Sequence, residues 1–251
     1  MDHSGALELF AGKFNVQQGV AFTFFIGSMA MMAATAFFWL SMREVGERWR
    51  TSMLVSGLIT FIAAVHYFYM RDFYLAHKLS PTFFRYVDWL LTVPLMCVEF
   101  YLITKKAGAK IELLWKLIAA SVAMLVLGYI GEGIYRDEAV SWVWGFLSSL
   151  PYFYILYLVW SGEVAALAAQ AGPLVQKANR VLAWFVLVGW AIYPIGYILG
   201  TKGGLFGMDL GTDAGFMDLV YNIGDAINKI GFGLVIYALA RSEDSAESSK
   251  A

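Results

Sequence analysis

Charge is scarce in this chain. Of its 251 residues, 15% are charged and 60% are apolar, against about 25% and about 45–50% in soluble domains. A surface so poor in charge does not suit water, and the membrane class leads from composition alone. Neither sign dominates: 18 Lys and Arg face 19 Asp and Glu, for a net charge of −1, and nothing basic suggests nucleic acid as a partner. Cysteine is nearly absent. Cys97 stands alone in an apolar run, which excludes disulfides and reads as a small buried hydrophobe. A secretory signal is also missing, since MDHSGALELFAGKFNVQQG has no basic start followed by a short apolar core and a cleavage site.

What the chain does have is long apolar runs. A membrane-crossing helix needs about 20 mostly apolar residues, at about 1.5 Å per residue. Phe14–Met42, Thr51–Met70, Ala139–Gly162 and Val181–Thr201 meet this without a single charge, and Ile111–Gly131 does so beyond Glu112 and Lys116. Pro81–Thr104 and Phe216–Ala240 have the length but carry charges. The prediction is an all-α membrane protein with seven transmembrane helices in one domain, residues 1–240, and the lipid bilayer as its surroundings. Ser80-Pro81 reads as an N-cap followed by a proline in the first helical turn. Thr104–Lys110 and Glu163–Asn179 read as links, and Arg241–Ala251 as a disordered cytoplasmic tail.

Basic residues orient the spans. Arg43, Arg48, Arg50, Lys105, Lys106, Lys110, Lys177, Arg180 and Arg241 fall on one side. Arg71, Lys78, Arg136 and Lys202 fall on the other, with Lys13 in the N-terminal arm. The positive-inside rule places the first set in the cytoplasm, the N-terminus outside and the C-terminus inside.

Ionisable groups in such spans are costly and read as functional by default. The third span carries Arg85, Asp88 and Glu99, and the seventh carries Asp218, Asp225 and Lys229. Asp218 lies near a helix end, where solvation accounts for it; Glu132, near the outer end of the fourth span, reads as solvated too. Arg85, Asp88, Thr92 and Glu99 are spaced three, four and seven apart and share one helical face, as do Asp225 and Lys229, four apart. Two buried ion pairs locking helices together is one reading of these charges. The other is chemical. Glu99 lies about 16 Å beyond Asp88 along the helix axis, and Lys229 sits near mid-membrane. A lysine there is suited to form an imine with an aldehyde, and a protonated imine needs a carboxylate counterion. Asp88 and Asp225 are at the right height.

At these residues the chain resembles the microbial rhodopsins, within them the proteorhodopsin and xanthorhodopsin groups. The resemblance rests on RYVDWLLTVPLMCVEFYLI (Arg85–Ile103), LGYIGE (Leu127–Glu132), GWAIYPIGY (Gly189–Tyr197) and YNIGDAINKIGFGL (Tyr221–Leu234), in that order. It implies a light-driven outward proton pump with all-trans retinal held on Lys229 as a Schiff base. It implies Asp88 as counterion and proton acceptor, Asp225 as second counterion, Arg85 just outside them, Glu99 as proton donor and His66 as the partner of Asp88. Asp88, Thr92 and Glu99 match the triplet of outward proton pumps. The implied pocket includes Tyr67, Trp89, Met96, Gly128, Ser148, Tyr152, Trp190, Tyr193 and Pro194, with Met96 at the position that accompanies green absorption. Gly145 stands where xanthorhodopsin-like pumps open a side window to a carotenoid antenna; a glycine kept for helix packing reads equally well. The resemblance further implies a multi-pass protein of the bacterial inner membrane, assembled as a pentamer or hexamer.

The chief alternative is a sensory photoreceptor of the same fold. Glu99 argues against it, and no transducer domain is evident. A light-gated channel and a seven-helix protein without retinal are the remaining rivals.

Overall fold

The computed structural model describes residues 16–136, 139–200 and 214–249. Lys13, Lys202, the N-terminal arm and the predicted span limits Phe14 and Thr201 lie outside these residues. Among the described residues, seven helices are long and apolar enough to cross a membrane: Gln18–Ser41, Glu47–His77, Thr82–Ala107, Ile111–Ile134, Ser141–Ala171, Pro173–Ile198 and Met217–Ser248. Helices suit such sequences because each backbone N–H and C=O finds its partner inside the same segment, which a hydrocarbon solvent requires. Successive spans from the first to the fifth pack side by side, and the seventh packs against the first, second and sixth. Large apolar side chains such as Leu40, Tyr69, Trp115, Phe146 and Ile227 remain exposed on the outer surface. That is the expected inversion for a bundle facing lipid.

Two wide turns interrupt the helices near the site. At Ile130–Ile134 the N–H of Tyr135 reaches back five residues to Ile130 O at 3.1 Å, and at Phe185–Gly189 Trp190 does the same to Phe185 O at 2.9 Å. Such π turns leave carbonyls to be satisfied by side chains. Tyr152 donates to Val186 O and Leu187 O at 3.1 and 3.2 Å, and Asn228 Nδ2 donates to Gly189 O at 2.9 Å. These bonds tie the fifth and seventh spans to the opened sixth.

The connections depart from the sequence reading in three places. The second span runs on to His77, and Lys78, in a left-handed conformation with φ 57°, closes it by donating its N–H to Tyr74 O. Glu163–Asn179 is not a loop: Glu163–Ala171 is helical, Gly172 breaks the chain direction at φ 118°, and Pro173 starts the helix leading into the sixth span. The alanines of EVAALAAQA favour helix, and Val164 and Ala168, four apart, are fully buried. The third departure is the tail, predicted disordered from Arg241, which stays helical to Ser248. Extending an existing helix needs no new nucleus, and partners on the link between the first two spans and at the start of the second hold it. Arg241 donates to Glu44 O at 2.9 Å, Asp244 accepts from the Gly46 N–H at 2.9 Å, and Glu243 pairs with Arg48.

Candidate functional site

The third and seventh spans bring the predicted charges together. Asp88 is fully buried and Asp225 and Lys229 nearly so. Lys229 Nζ lies 3.1 Å from Asp88 Oδ2 and donates to Asp225 Oδ1 at 2.5 Å. The two carboxylates differ in what else they hold. Asp225 also accepts from Tyr67 at 3.0 Å and from Tyr193 at 2.8 Å. Beyond its contact with Lys229, neither oxygen of Asp88 has a hydrogen-bond partner. His66 Nδ1 is 3.8 Å from Asp88 Oδ1, an electrostatic contact, and lies 2.9 Å from Ile62 O. Thr92 shares the face but not the contact, because its hydroxyl donates to the backbone oxygen of Asp88 at 2.9 Å.

Arg85 belongs to a second buried charged pair. It is buried, and its guanidinium points to Asp218 (2.8 Å) and to Asn222 Oδ1 (3.2 Å from both terminal nitrogens). Asp218, read as a solvated end residue, is 1% exposed and also accepts from Ser80 at 2.8 Å. The Ser80 hydroxyl therefore serves Asp218 and caps nothing: the third helix begins at Thr82, with Pro81 O accepting from the Arg85 N–H at 3.0 Å. A desolvated arginine requires a carboxylate, and Asp218 was findable from its spacing, seven residues before Asp225 on the same face. Glu132 is likewise engaged, accepting from Tyr86 at 2.7 Å.

Glu99 lies far along the third span and is fully buried. Ser56 donates to its Oε1 at 3.3 Å, and Oε2 has no partner. Among the described residues no ion pair reaches it.

Beside the charged group lies an apolar cavity of about 310 Å³. Trp89 and Tyr193, with ring centroids 4.6 Å apart, and Trp190 form one wall. Gly128, Ser148 and Tyr152 line it from the fourth and fifth spans, Gly145 and Pro194 on the fifth and sixth. Tyr67 and Met96, also predicted for the pocket, are buried but do not line it: Tyr67 serves Asp225, and Met96 lies in the packed core. At Gly145 the space of a side chain is taken by Tyr197, whose Cε1 lies 2.9 Å from where a Cβ would stand. The Tyr197 hydroxyl is fastened to Ser141, 2.6 Å from both its oxygens. A packing role for this glycine thus has a named partner.

An elongated aldehyde fits this arrangement. The walls are apolar and aromatic, Tyr193 joins them to the Lys229 pair through Asp225, and the oxygens of Asp88 face no donor but Lys229. Comparison with known proteins agrees. A green-light absorbing proteorhodopsin from Gamma-proteobacterium EBAC31A08 is 40% identical over 247 residues, covering 96% of this chain and 95% of that one. A blue-light absorbing proteorhodopsin from Gamma-proteobacterium Hot 75m4 is 40% identical over 235 residues, covering 93% and 91%. The crystallographic structure of xanthorhodopsin matches with a TM-score of 0.80 at 30% identity, over 93% of this chain and 96% of that one. The family model described as bacteriorhodopsin-like protein matches residues 18–243, and the chain belongs to that family.

Proposed function

We propose that this protein is a light-driven outward proton pump of the bacterial inner membrane, with all-trans retinal carried on Lys229. The observation that carries the reading is the buried Lys229 nitrogen set between Asp88 and Asp225. The relatives support it: two are light-absorbing proteorhodopsins, and xanthorhodopsin is a light-driven ion pump with dual chromophore. Bound retinal supplies a light-switchable cation. The residues of this chain do the rest. Asp225, fixed by Tyr67 and Tyr193, keeps a compensating charge beside the Lys229 nitrogen. Asp88, whose Oδ2 lies 3.1 Å from that nitrogen, receives the proton. Glu99 returns one from the opposite side, and Trp89, Trp190 and Tyr193 confine and orient the polyene.

Illuminated cells in unbuffered salt are expected to acidify the medium, and a protonophore should abolish the signal. Lys229→Ala is the control and should neither acidify nor form a visible pigment. Light-driven alkalinisation that a protonophore enhances would instead mean that another ion moves.

A carotenoid antenna at the Gly145 side extends the reading, favoured by the dual chromophore of xanthorhodopsin. Its ring would need Tyr197 to leave Ser141. Induced circular dichroism in added hydroxylated carotenoids checks this, and a spectrum that is the sum of its parts rejects it.

A further inference from the structure

The buried charges form a ladder across the third and seventh spans. Asp218 and Asp225 are seven apart on one face, about 10 Å along the axis, and Arg85 and Asp88 are three apart on the facing helix. In order, the rungs are Asp218 with Arg85, then Asp225, Lys229 and Asp88. Arg85 stands between two acidic neighbourhoods and could serve either. In the structure it serves the outer one, where its Nη2 lies 2.8 Å from Asp218 Oδ1. Both partners are at most 2% exposed, so water does not screen the pair. Ser80 fixes the same Asp218 oxygen at 2.8 Å, while the ring of Tyr221 lies 5.1 Å from the guanidinium carbon.

We propose that Asp218 is a positioning residue for the Lys229 site. It anchors the charge of Arg85 on the outer rung and so sets the field at Asp88 and Asp225. Asn222 also touches Arg85, but as a neutral acceptor at 3.2 Å with its amide committed to Thr23 it cannot balance a charge. The other groups facing the ladder are His66 on the second span, beside Asp88, and Glu132 with Arg136 at the end of the fourth, within electrostatic reach of Asp218. Tyr67 and Tyr193 are neutral donors to Asp225. None of these pairs directly with Arg85.

This inference rests on the retinal reading of Lys229, and its test separates the two. The pigment formed with all-trans retinal is titrated with acid, and the colour change that follows protonation of Asp88 is located. In Asp218→Asn, Arg85 loses its outer anchor and its charge is free to favour Asp225 and Asp88. Ionised Asp88 should then persist to lower pH, moving the transition down by about one pH unit. Asp218→Glu should restore it. In an Arg85→Gln background the same Asp218→Asn change should move it by no more than about a third as much, since only the direct field of Asp218 is left. Equal shifts in both backgrounds, or none in the wild-type background, overturn the proposal. If Asp218→Asn forms no pigment, Asn222→Leu decides: an unmoved transition supports Asp218 as the anchor, and a shift of about a unit assigns that role to Asn222 instead. A wild-type protein that forms no pigment overturns the reading of Lys229 and this inference with it; a wild-type pigment whose variants fail these tests overturns this inference alone.

Discussion

The third span buries an acid at each end of its polar face, and the two live in opposite surroundings. Asp88 belongs to a crowd: Lys229 at 3.1 Å, His66 at 3.8 Å, and Asp225 sharing the same lysine. Glu99 has the hydroxyl of Ser56 at 3.3 Å, that of Ser52 nearby, and no ion pair among the described residues. A carboxylate beside a cation is compensated, whereas a bare buried charge is costly. The first site thus suits an ion that can accept a proton, and the second suits an acid that stores one. Direction in this molecule comes from that asymmetry, built on a single helix.

Breaking the crowded end should have the largest effect. Asp88→Asn removes the charge nearest the Lys229 nitrogen and the acceptor together. Without that anion the positive charge of the pigment spreads further along the polyene, and the absorption should move to the red. Light-driven acidification should fall to the level of unilluminated cells. Spectra taken in acid and in alkali sharpen the point, because the wild type should change colour where the variant does not. A wild-type maximum unmoved between acid and alkaline pH would remove Asp88 as counterion.

The same contrast explains what could be read from the chain before its structure was known. The seven spans were legible because lipid imposes a length and an apolar composition on every crossing. Their ends were not, because links here fold on contacts distant in sequence: Asp244 on Gly46, and Val164 and Ala168 in the core. Asp88, Asp225 and Lys229 were legible from helical spacing and depth. Asp218 was misread because its depth suggested solvent, while its seven-residue offset from Asp225 already placed it on the buried face. Thr92 shows the limit from the other side: its position was right, but its hydroxyl turns to its own backbone. Tyr197 behind Gly145 had no signal at all, since the two meet only when the fifth and sixth spans pack.

The sparse end should respond more weakly and in another observable. Glu99→Gln keeps the shape of the side chain but cannot give up a proton. Colour should stay almost unchanged, since Glu99 lies about three helical turns beyond Asp88 and contributes little field at the Lys229 nitrogen. Recovery of the dark state after a flash should slow by about a hundredfold or more, the scale of losing one positioned acid. Azide, a small carrier that brings protons without a side chain, should restore part of the rate. Ser56→Ala offers a finer step at the same place. A neutral hydrogen bond contributes about 1 kcal/mol, so removing the hydroxyl should change recovery by roughly fivefold or less, with no change of colour. Flash spectroscopy of the three proteins at one pH gives the order: wild type and Ser56→Ala close together, Glu99→Gln far slower. Recovery in Glu99→Gln as fast as in the wild type would show that protons reach the lysine by a route that bypasses this acid, and the asymmetry of the third span would lose its functional meaning.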